Sequence, residues 1–436
     1  MVEIIDATNP LKGKYKVPGD KSISHRAAIL SSISEDTVKI FGYSNGKDCL
    51  STLDCMEKLG VHIDWNQNPD DVLTIEGKSL YLYEPYDVLD ANNSGTTTRL
   101  LLGVLSGQEF FSCITGDDSL RARPMKRVVE PLTSMGAKFH GRENSNKLPL
   151  CCLGRKEKPS KTKYKLPVAS AQVKSAILLA GLYCDEEIEV IEPSRTRDHT
   201  ERMLKAMGVN IDSSKVSETE GARKITMKPA EKLNFSYEIK IPGDFSSAAF
   251  LIACTILKED SNIIVEEVGI NPTRTGFLQV LEKMGVKFNI KNERISCNEP
   301  IADIEAEYNP TLEACTVEGD LVANVIDELP LFAVLATQAQ GTTVLKDAKE
   351  LRYKETDRIK AITSELTKMG ANISEKEDGF IVKGPTPLKG ERVKSFDDHR
   401  IAMALSVAAK ISTGKTYIEN PECADISFPG FYQYFK

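Results

Sequence analysis

The side chains suited to chemistry gather at a few points along the chain. "KSISHR" brings Lys21, Ser22 and Arg26 together, "NSGTTTR" brings Asn93, Thr96 and Arg99, and "SAQVK" brings Ser170, Gln172 and Lys174. Further on, "DELP" supplies Asp327 and Glu328, and "DDHR" supplies Asp398, His399 and Arg400. Each group opens a stretch rich in alanine and leucine, so each is expected at a helix N-terminus. Such an end carries about half a positive charge and unpaired N–H donors. Several of them turned toward one cleft would trap a small, multiply anionic molecule without high net charge. Taken singly, the groups are ordinary. "NSGTTTR" reads equally as a capped helix start, Arg121 and Arg123 as solvated arginines, "KETDRI" as a polar helix opening and "DHR" as a surface ion-pair set. Only jointly do they point to a site.

The elements that must carry these residues repeat. Six segments of the same grammar open at Lys21, Ser94, Ser170, Asp244, Asp327 and Asp397, at intervals of 70 to 83 residues. Serine and aspartate cap helix starts by accepting backbone N–H groups, and the near-continuous apolar bodies predict helices buried on most sides. Between them run "MEKLGVHI", "LTSMGAKF", "LKAMGVNI", "LEKMGVKFNI" and "LTKMGANI", amphipathic stretches closed at Gly60, Gly136, Gly208, Gly285 and Gly370. Glycine accepts the left-handed conformation that ends a helix, and the β-favouring residues that follow predict strands. A sixth copy falls at "FPGFYQYFK". The repetition predicts six βαβ-type units of an α/β protein, each with one buried and one half-exposed helix. "VPGDKS" and "IPGDFS" open the first and fourth units with the same turn chemistry. That predicts two halves rather than a linear solenoid, whose repeats are shorter.

Bulk properties narrow the function. At 436 residues the chain has room for two domains with real cores. A net charge of −7 with no long basic run argues against a nucleic-acid binder. No basic region followed by an apolar stretch suggests a signal peptide at the N-terminus, and "AILLAGLYC" is too short to span a bilayer. A cytoplasmic protein without a membrane partner is expected. Ten scattered cysteines with no CxxC pair read as buried thiols in a reducing compartment, with no metal site. His62 and His140 lie beside predicted strands and read as structural, and the lysine-rich stretch between Arg155 and Lys165 reads as a solvated face. "STGKT" fails as a phosphate-binding loop because Ala409 stands where its first glycine belongs. The absence of HExxH, a strand-associated GxGxxG and GxSxG disfavours metal hydrolase, dehydrogenase, kinase and serine hydrolase readings.

In order along nearly the whole chain, "PGDKSISHRAAIL", "NSGTTTRLL", "RARPMKRV", "VASAQVKSAILLAGL", "TRDHTERML", "YKETDRI" and "DDHRIAMALSVAA" closely resemble the 5-enolpyruvylshikimate-3-phosphate synthase family. The resemblance implies an inside-out α/β barrel pair of six βαβαββ repeats, three per domain. One domain would span 19–240 and the other 1–18 plus 241–436, joined by two crossover hinges. It implies transfer of the enolpyruvyl group of phosphoenolpyruvate to the 5-hydroxyl of shikimate 3-phosphate with release of phosphate, a step of the shikimate pathway to chorismate. No cofactor and no metal are implied, and family analogy gives a monomer. Shikimate 3-phosphate would be held by Lys21, Ser22, Arg26, Ser170, Ala171, Gln172, Arg197, Asp327 and Lys354. Phosphoenolpyruvate would be held by Lys21, Asn93, Gly95, Arg123, Gln172, Glu355, Arg358 and Arg400. Asp327 and Glu355 would be the acid–base pair, with Lys21 also catalytic. Two carboxylates in different environments suit a reaction that removes a hydroxyl proton and protonates a methylene carbon.

One position departs from the family pattern: Ile426 of "DISFPGF" stands where many relatives carry a lysine that contacts phosphoenolpyruvate. Gly95, being glycine, implies sensitivity to glyphosate, a competitor at the phosphoenolpyruvate site. Two rival readings are open to the sequence. UDP-N-acetylglucosamine enolpyruvyltransferase would show a "KNA"-type opening and a reactive loop cysteine, but "GDDSLRARP" holds none. A non-catalytic phospho-ligand binder of the same fold would have no use for both Asp327 and Glu355.

Overall fold

The computed structural model describes residues 2–5, 9–66, 72–216 and 221–435. The chain divides into two compact units. One comprises Met1–Pro18, Pro242–Arg294 and Pro300–Lys436, the other Gly19–Ile241 and Ile295–Glu299. Of the two switches that flank Gly19–Ile241, the first falls inside the Pro-Gly-Asp turn at Pro18 and the second immediately before the one at Pro242. The short segment Ile295–Glu299 clusters with the second unit although both its neighbours in sequence belong to the first.

The described strands form six sheets, three per unit, and the sheets share one pattern. In each, a strand lies parallel to a second, which pairs antiparallel with a third. In the Gly19–Ile241 unit, Glu238–Lys240 runs parallel to Thr37–Phe41, which pairs antiparallel with Val72–Glu76, and His62–Asn66 adds the far edge. The strands Leu89–Asp90, Ser112–Thr115, Lys147–Leu153 and Lys138–Gly141 repeat this order, as do Lys163–Lys165, Ile188–Glu192, Arg223–Met227 and Ile211–Lys215. In the other unit, Lys12–Tyr15 lies parallel to Asn262–Gly269. Val2–Ile5 pairs antiparallel with Thr416–Glu419, which itself runs parallel to Arg392–Lys394.

The six apolar stretches are helices: Lys21–Ser32, Gly95–Leu105, Ala171–Gly181, Phe245–Leu257, Leu329–Gln338 and His399–Ile411. Nearly every residue of each is buried, as uninterrupted apolar bodies require. They form the centres of two separate hydrophobic cores, one per unit. Their caps differ in detail from the sequence expectation. Asp20, Ser94, Ser170, Asp244 and Asp398 each accept a backbone N–H with the side chain. Such a bond stabilises a helix by about 1 kcal/mol. The fifth helix is the exception: Glu328 stands at its N-cap without a side-chain capping bond, and Asp327 lies one residue outside. Asp327 is thereby left available for other partners.

Gly60, Gly136, Gly208, Gly285 and Gly370 all have positive φ, between 79° and 97°, and each precedes a strand. Gly430 also has positive φ, 76°, but the 3-10 helix Phe431–Phe435 follows it. In the sheet of the sixth copy Val2–Ile5 takes the place of the third strand, pairing antiparallel with Thr416–Glu419, and no strand follows Gly430 among the described residues. No helix among the described residues is long and apolar enough to cross a membrane, and all ten cysteines are free thiols, most of them buried.

Candidate active site

In the Gly19–Ile241 unit, the openings of three buried helices are tied together by polar side chains. Arg26, one turn into the Lys21 helix and 4% exposed, donates through Nε to Thr200 Oγ1 at 2.7 Å and through Nη2 to Ser175 Oγ at 2.9 Å. Ser175 and Thr200 are themselves 2.7 Å apart. Arg99 of the Gly95 helix donates to Gln172 Oε1 at 2.7 Å, and Gln172 Nε2 donates to Thr96 Oγ1 at 3.0 Å. These bonds gather Arg26, Gln172 and the "TRDHTE" segment around one place. Burial lowers the Arg26 guanidinium to about 10, against the opposing pull of Glu201 and Asp20. Even so lowered, it remains a cation at neutral pH, and an anion beside it would offset the desolvation.

The other expected residues of this unit sit as follows. Lys21 is the first residue of its helix and pairs with Asp48. Ser22 is half-buried, and its carbonyl accepts from Arg26 Nη1 at 2.8 Å. Ser170 caps the helix that Ala171 begins, and Arg197 is half-buried just before the helix His199–Ala206. Asn93 Oδ1 accepts from Arg123 Nη2 at 2.7 Å, while its Nδ2 donates to Asp117 Oδ2 at 2.6 Å. Gly95 is buried beneath two guanidinium groups, those of Arg99 and Arg123.

Sequence reasoning missed what holds this cluster from behind. Lys174, 1% exposed, bridges Glu192 at 3.0 Å and Glu201 at 2.7 Å. Glu192 also accepts from Thr196 Oγ1 at 2.6 Å, which fixes the residue beside Arg197. Burial alone would lower the Lys174 ammonium, but Glu201 and Glu192 raise it above its ordinary value. His199 pairs through Nδ1 with Glu299 Oε1 at 2.8 Å, both side chains being buried. Glu299 arrives on the inserted segment Ile295–Glu299, so no local signal announces it.

In the other unit, Arg358 organises a carboxylate cluster. It is 2% exposed and donates through Nε to Asp398 Oδ2 at 2.8 Å and through Nη2 to Glu355 Oε2 at 2.6 Å. Its Nη1 lies 3.5 Å from Asp327 Oδ1, and Lys354 Nζ lies 3.6 Å from the same oxygen. Burial alone would lower the Arg358 guanidinium, but Asp398, Glu355 and Asp327 together raise it. One fixed cation therefore spaces the two candidate proton-transfer carboxylates. Asp398 also caps its helix by accepting the Arg400 N–H at 2.8 Å. Arg400 lies over the Phe250 ring at 5.9 Å, and its buried Nε and Nη1 have no hydrogen-bond partner among the described residues. Buried donors left unpaired at rest cost free energy that an anionic ligand recovers. Ile426 is half-buried in the 3-10 helix Pro421–Ile426 and brings no charge.

A family model described as EPSP synthase (3-phosphoshikimate 1-carboxyvinyltransferase) matches residues 5–435. The chain belongs to the EPSP synthase family. It is 46% identical over 434 residues to the 3-phosphoshikimate 1-carboxyvinyltransferase of Petrotoga mobilis, covering 99% of this chain and 98% of that one. It is 47% identical over 433 residues to that of Thermodesulfovibrio yellowstonii, covering 99% and 98%. An EPSP synthase structure from Acinetobacter baumannii superimposes with a TM-score of 0.87 at 40% identity, covering 99% of this chain and 97% of that one. Likeness at this level over almost every residue makes the mixed α/β architecture that of the EPSP synthase family. It also disfavours the UDP-N-acetylglucosamine enolpyruvyltransferase reading.

Proposed function

We propose that this chain transfers the enolpyruvyl group of phosphoenolpyruvate to the 5-hydroxyl of shikimate 3-phosphate and releases inorganic phosphate. The observation that carries the reading is the family match across residues 5–435, in a chain whose Arg358 holds both Asp327 and Glu355. The reaction is an addition followed by an elimination. The 5-hydroxyl oxygen bonds to C2 of phosphoenolpyruvate, its proton leaves to a base, and C3 gains a proton to become a methyl group. The methyl then loses a proton, the C2–O bond to phosphate breaks, and the enol ether product forms.

Within that scheme, Lys21, Ser22, Arg26, Ser170, Ala171, Gln172 and Arg197 bind shikimate 3-phosphate. Asn93, Gly95, Arg123, Arg358 and Arg400 bind phosphoenolpyruvate, with Lys21 and Gln172 serving both. Arginine forks suit carboxylate and phosphate groups alike. Asp327 and Glu355 exchange protons with the hydroxyl and the methylene, and Lys354 contacts the hydroxyl region. Unpaired donors on Arg400 compensate for the missing lysine at Ile426. We read the fold as two three-repeat inside-out barrels, with shikimate 3-phosphate belonging to the Gly19–Ile241 unit. We also read the protein as a cytoplasmic monomer that needs neither metal nor organic cofactor.

A phosphate-release assay tests the function. Phosphate is expected only when both substrates are present. Release from phosphoenolpyruvate with UDP-N-acetylglucosamine in place of shikimate 3-phosphate, or none with either, would overturn the assignment.

A further inference from the structure

Arg274 has no part in the scheme above, yet it is only 2% exposed. It ends a tight turn between the strand Asn262–Gly269 and the helix Gly276–Lys283. There Asn271 Oδ1 accepts the Thr273 N–H at 2.9 Å and the Asn271 carbonyl accepts the Arg274 N–H at 2.8 Å. From that turn, Nη2 donates to Ser246 Oγ at 2.7 Å and stands 3.6 Å from Asp244 Oδ1. Nη1 stands 3.6 Å from Asp327 Oδ2. The opposite oxygen of the same carboxylate, Oδ1, faces Lys354 and Arg358. The two oxygens of Asp327 are therefore served by different cations.

A second feature makes this arrangement more than a buried ion pair. Glu328, fully buried and next to Asp327 in sequence, accepts from the same Ser246 hydroxyl that Arg274 contacts. Two adjacent carboxylates in a dry interior repel one another and favour protonation. Burial does raise the Glu328 carboxyl, Arg274 draws it back, and Asp327 raises it again. Arg274 is thus the cation set between this pair.

We propose that Arg274 is a positioning residue for enolpyruvyl transfer, fixing Oδ2 of Asp327 and keeping that carboxylate in its proton-accepting form. The inference rests on the reading of Asp327 as a proton-transfer group. Charged groups that face Asp327 include Arg274, Lys354, Arg358 and Glu328. Behind them stand Asp244 on Arg274, Glu355 and Asp398 on Arg358, and Arg400 near Glu328. Removing the Arg274 charge leaves the rest in place, so the net change at Asp327 is the loss of one nearby cation. A carboxylate that loses a close cation titrates at higher pH.

Steady-state kinetics across pH on the full chain provide the test, with Arg274→Gln and Arg274→Lys beside the unaltered protein. For Arg274→Gln, kcat is expected to fall about 100-fold, the scale of one proton-transfer contribution. The acid limb of the kcat profile should move up by about one pH unit, while KM for shikimate 3-phosphate stays within about twofold. Arg274→Lys, which keeps the charge but loses the fork, should return the acid limb to its original place. A glutamine profile that superimposes on the unaltered one would overturn the proposal. So would a folded glutamine variant whose loss lies wholly in KM. Should the glutamine variant fail to fold, Arg274→Lys decides alone: a kcat loss of about tenfold at unchanged KM supports the role, and an unchanged kcat overturns it. Turnover by the unaltered protein is measured first, so failure of the enzymatic reading itself shows separately as no product from any sample.

Discussion

A methyl group added at Gly95 would stand 2.7 Å from Arg99 Nη1 and 3.4 Å from Arg123 Nη1. Arg99 is not free to swing aside without cost, because it holds Gln172. Glyphosate is therefore expected to inhibit the unaltered protein. Gly95→Ala should raise both the inhibitory concentration and KM for phosphoenolpyruvate by about tenfold or more, as small misplacements at a binding end do. An inhibition curve for the unaltered protein that stays flat into the millimolar range would refute this. A second residue-scale expectation concerns His25. It is buried, its Nδ1 lies 2.6 Å from Thr52 Oγ1, and burial, then Lys21 and Arg26, hold it well below the ordinary 6.5 of histidine. Below that pH the unfolded chain takes up a proton that the native state refuses, so stability falls as pH drops. The slope due to this one group approaches about 1.4 kcal/mol per pH unit. Urea unfolding at pH 7.5 and 5.5 should show a loss that shrinks in His25→Gln; equal losses in both proteins would remove His25 as the cause.

At the scale of elements, most of the architecture is legible because its signals are local. Capping residues, apolar helix bodies and closing glycines such as Gly60 and Gly370 all act within a few residues of themselves. Asp327 looks like a cap in sequence and is not one, because the helix begins after Glu328 and frees Asp327 for the cations beside it. What stays hidden is the pairing of buried charges across elements. Nothing in "SAQVKS" tells that Lys174 neutralises Glu192 and Glu201, since the partners come from a strand and a helix further along. Lys174→Met would leave two buried carboxylates without their cation, a change that typically destabilises by about 3–5 kcal/mol. Denaturant unfolding should show that loss together with weaker binding of shikimate 3-phosphate, because Thr196 loses its anchored partner Glu192. A variant as stable as the unaltered chain would show that the triad contributes nothing net.

For the molecule as a whole, the chain's own path is the least legible feature. The Pro-Gly-Asp turns mark two of its switches between units, but nothing in "ERISCNEP" signals that Ile295–Glu299 joins the Gly19–Ile241 unit and delivers Glu299 to His199. Arg274 was invisible for the same reason: a lone arginine in a loop reads as solvated until the fold buries it. At the centre of the proposed function is a single addition–elimination reaction in which Asp327 and Glu355 move the protons. That reaction requires C3 of phosphoenolpyruvate to pass through a methyl group. Turnover of both substrates in deuterium oxide, followed by proton NMR of the product, tests it directly. Deuterium is expected at the vinyl methylene, with phosphate released in step with product and both slowed by about 100-fold or more in Asp327→Asn and Glu355→Gln. Product free of deuterium, or variants that turn over as fast as the unaltered chain, would contradict the proposed reaction.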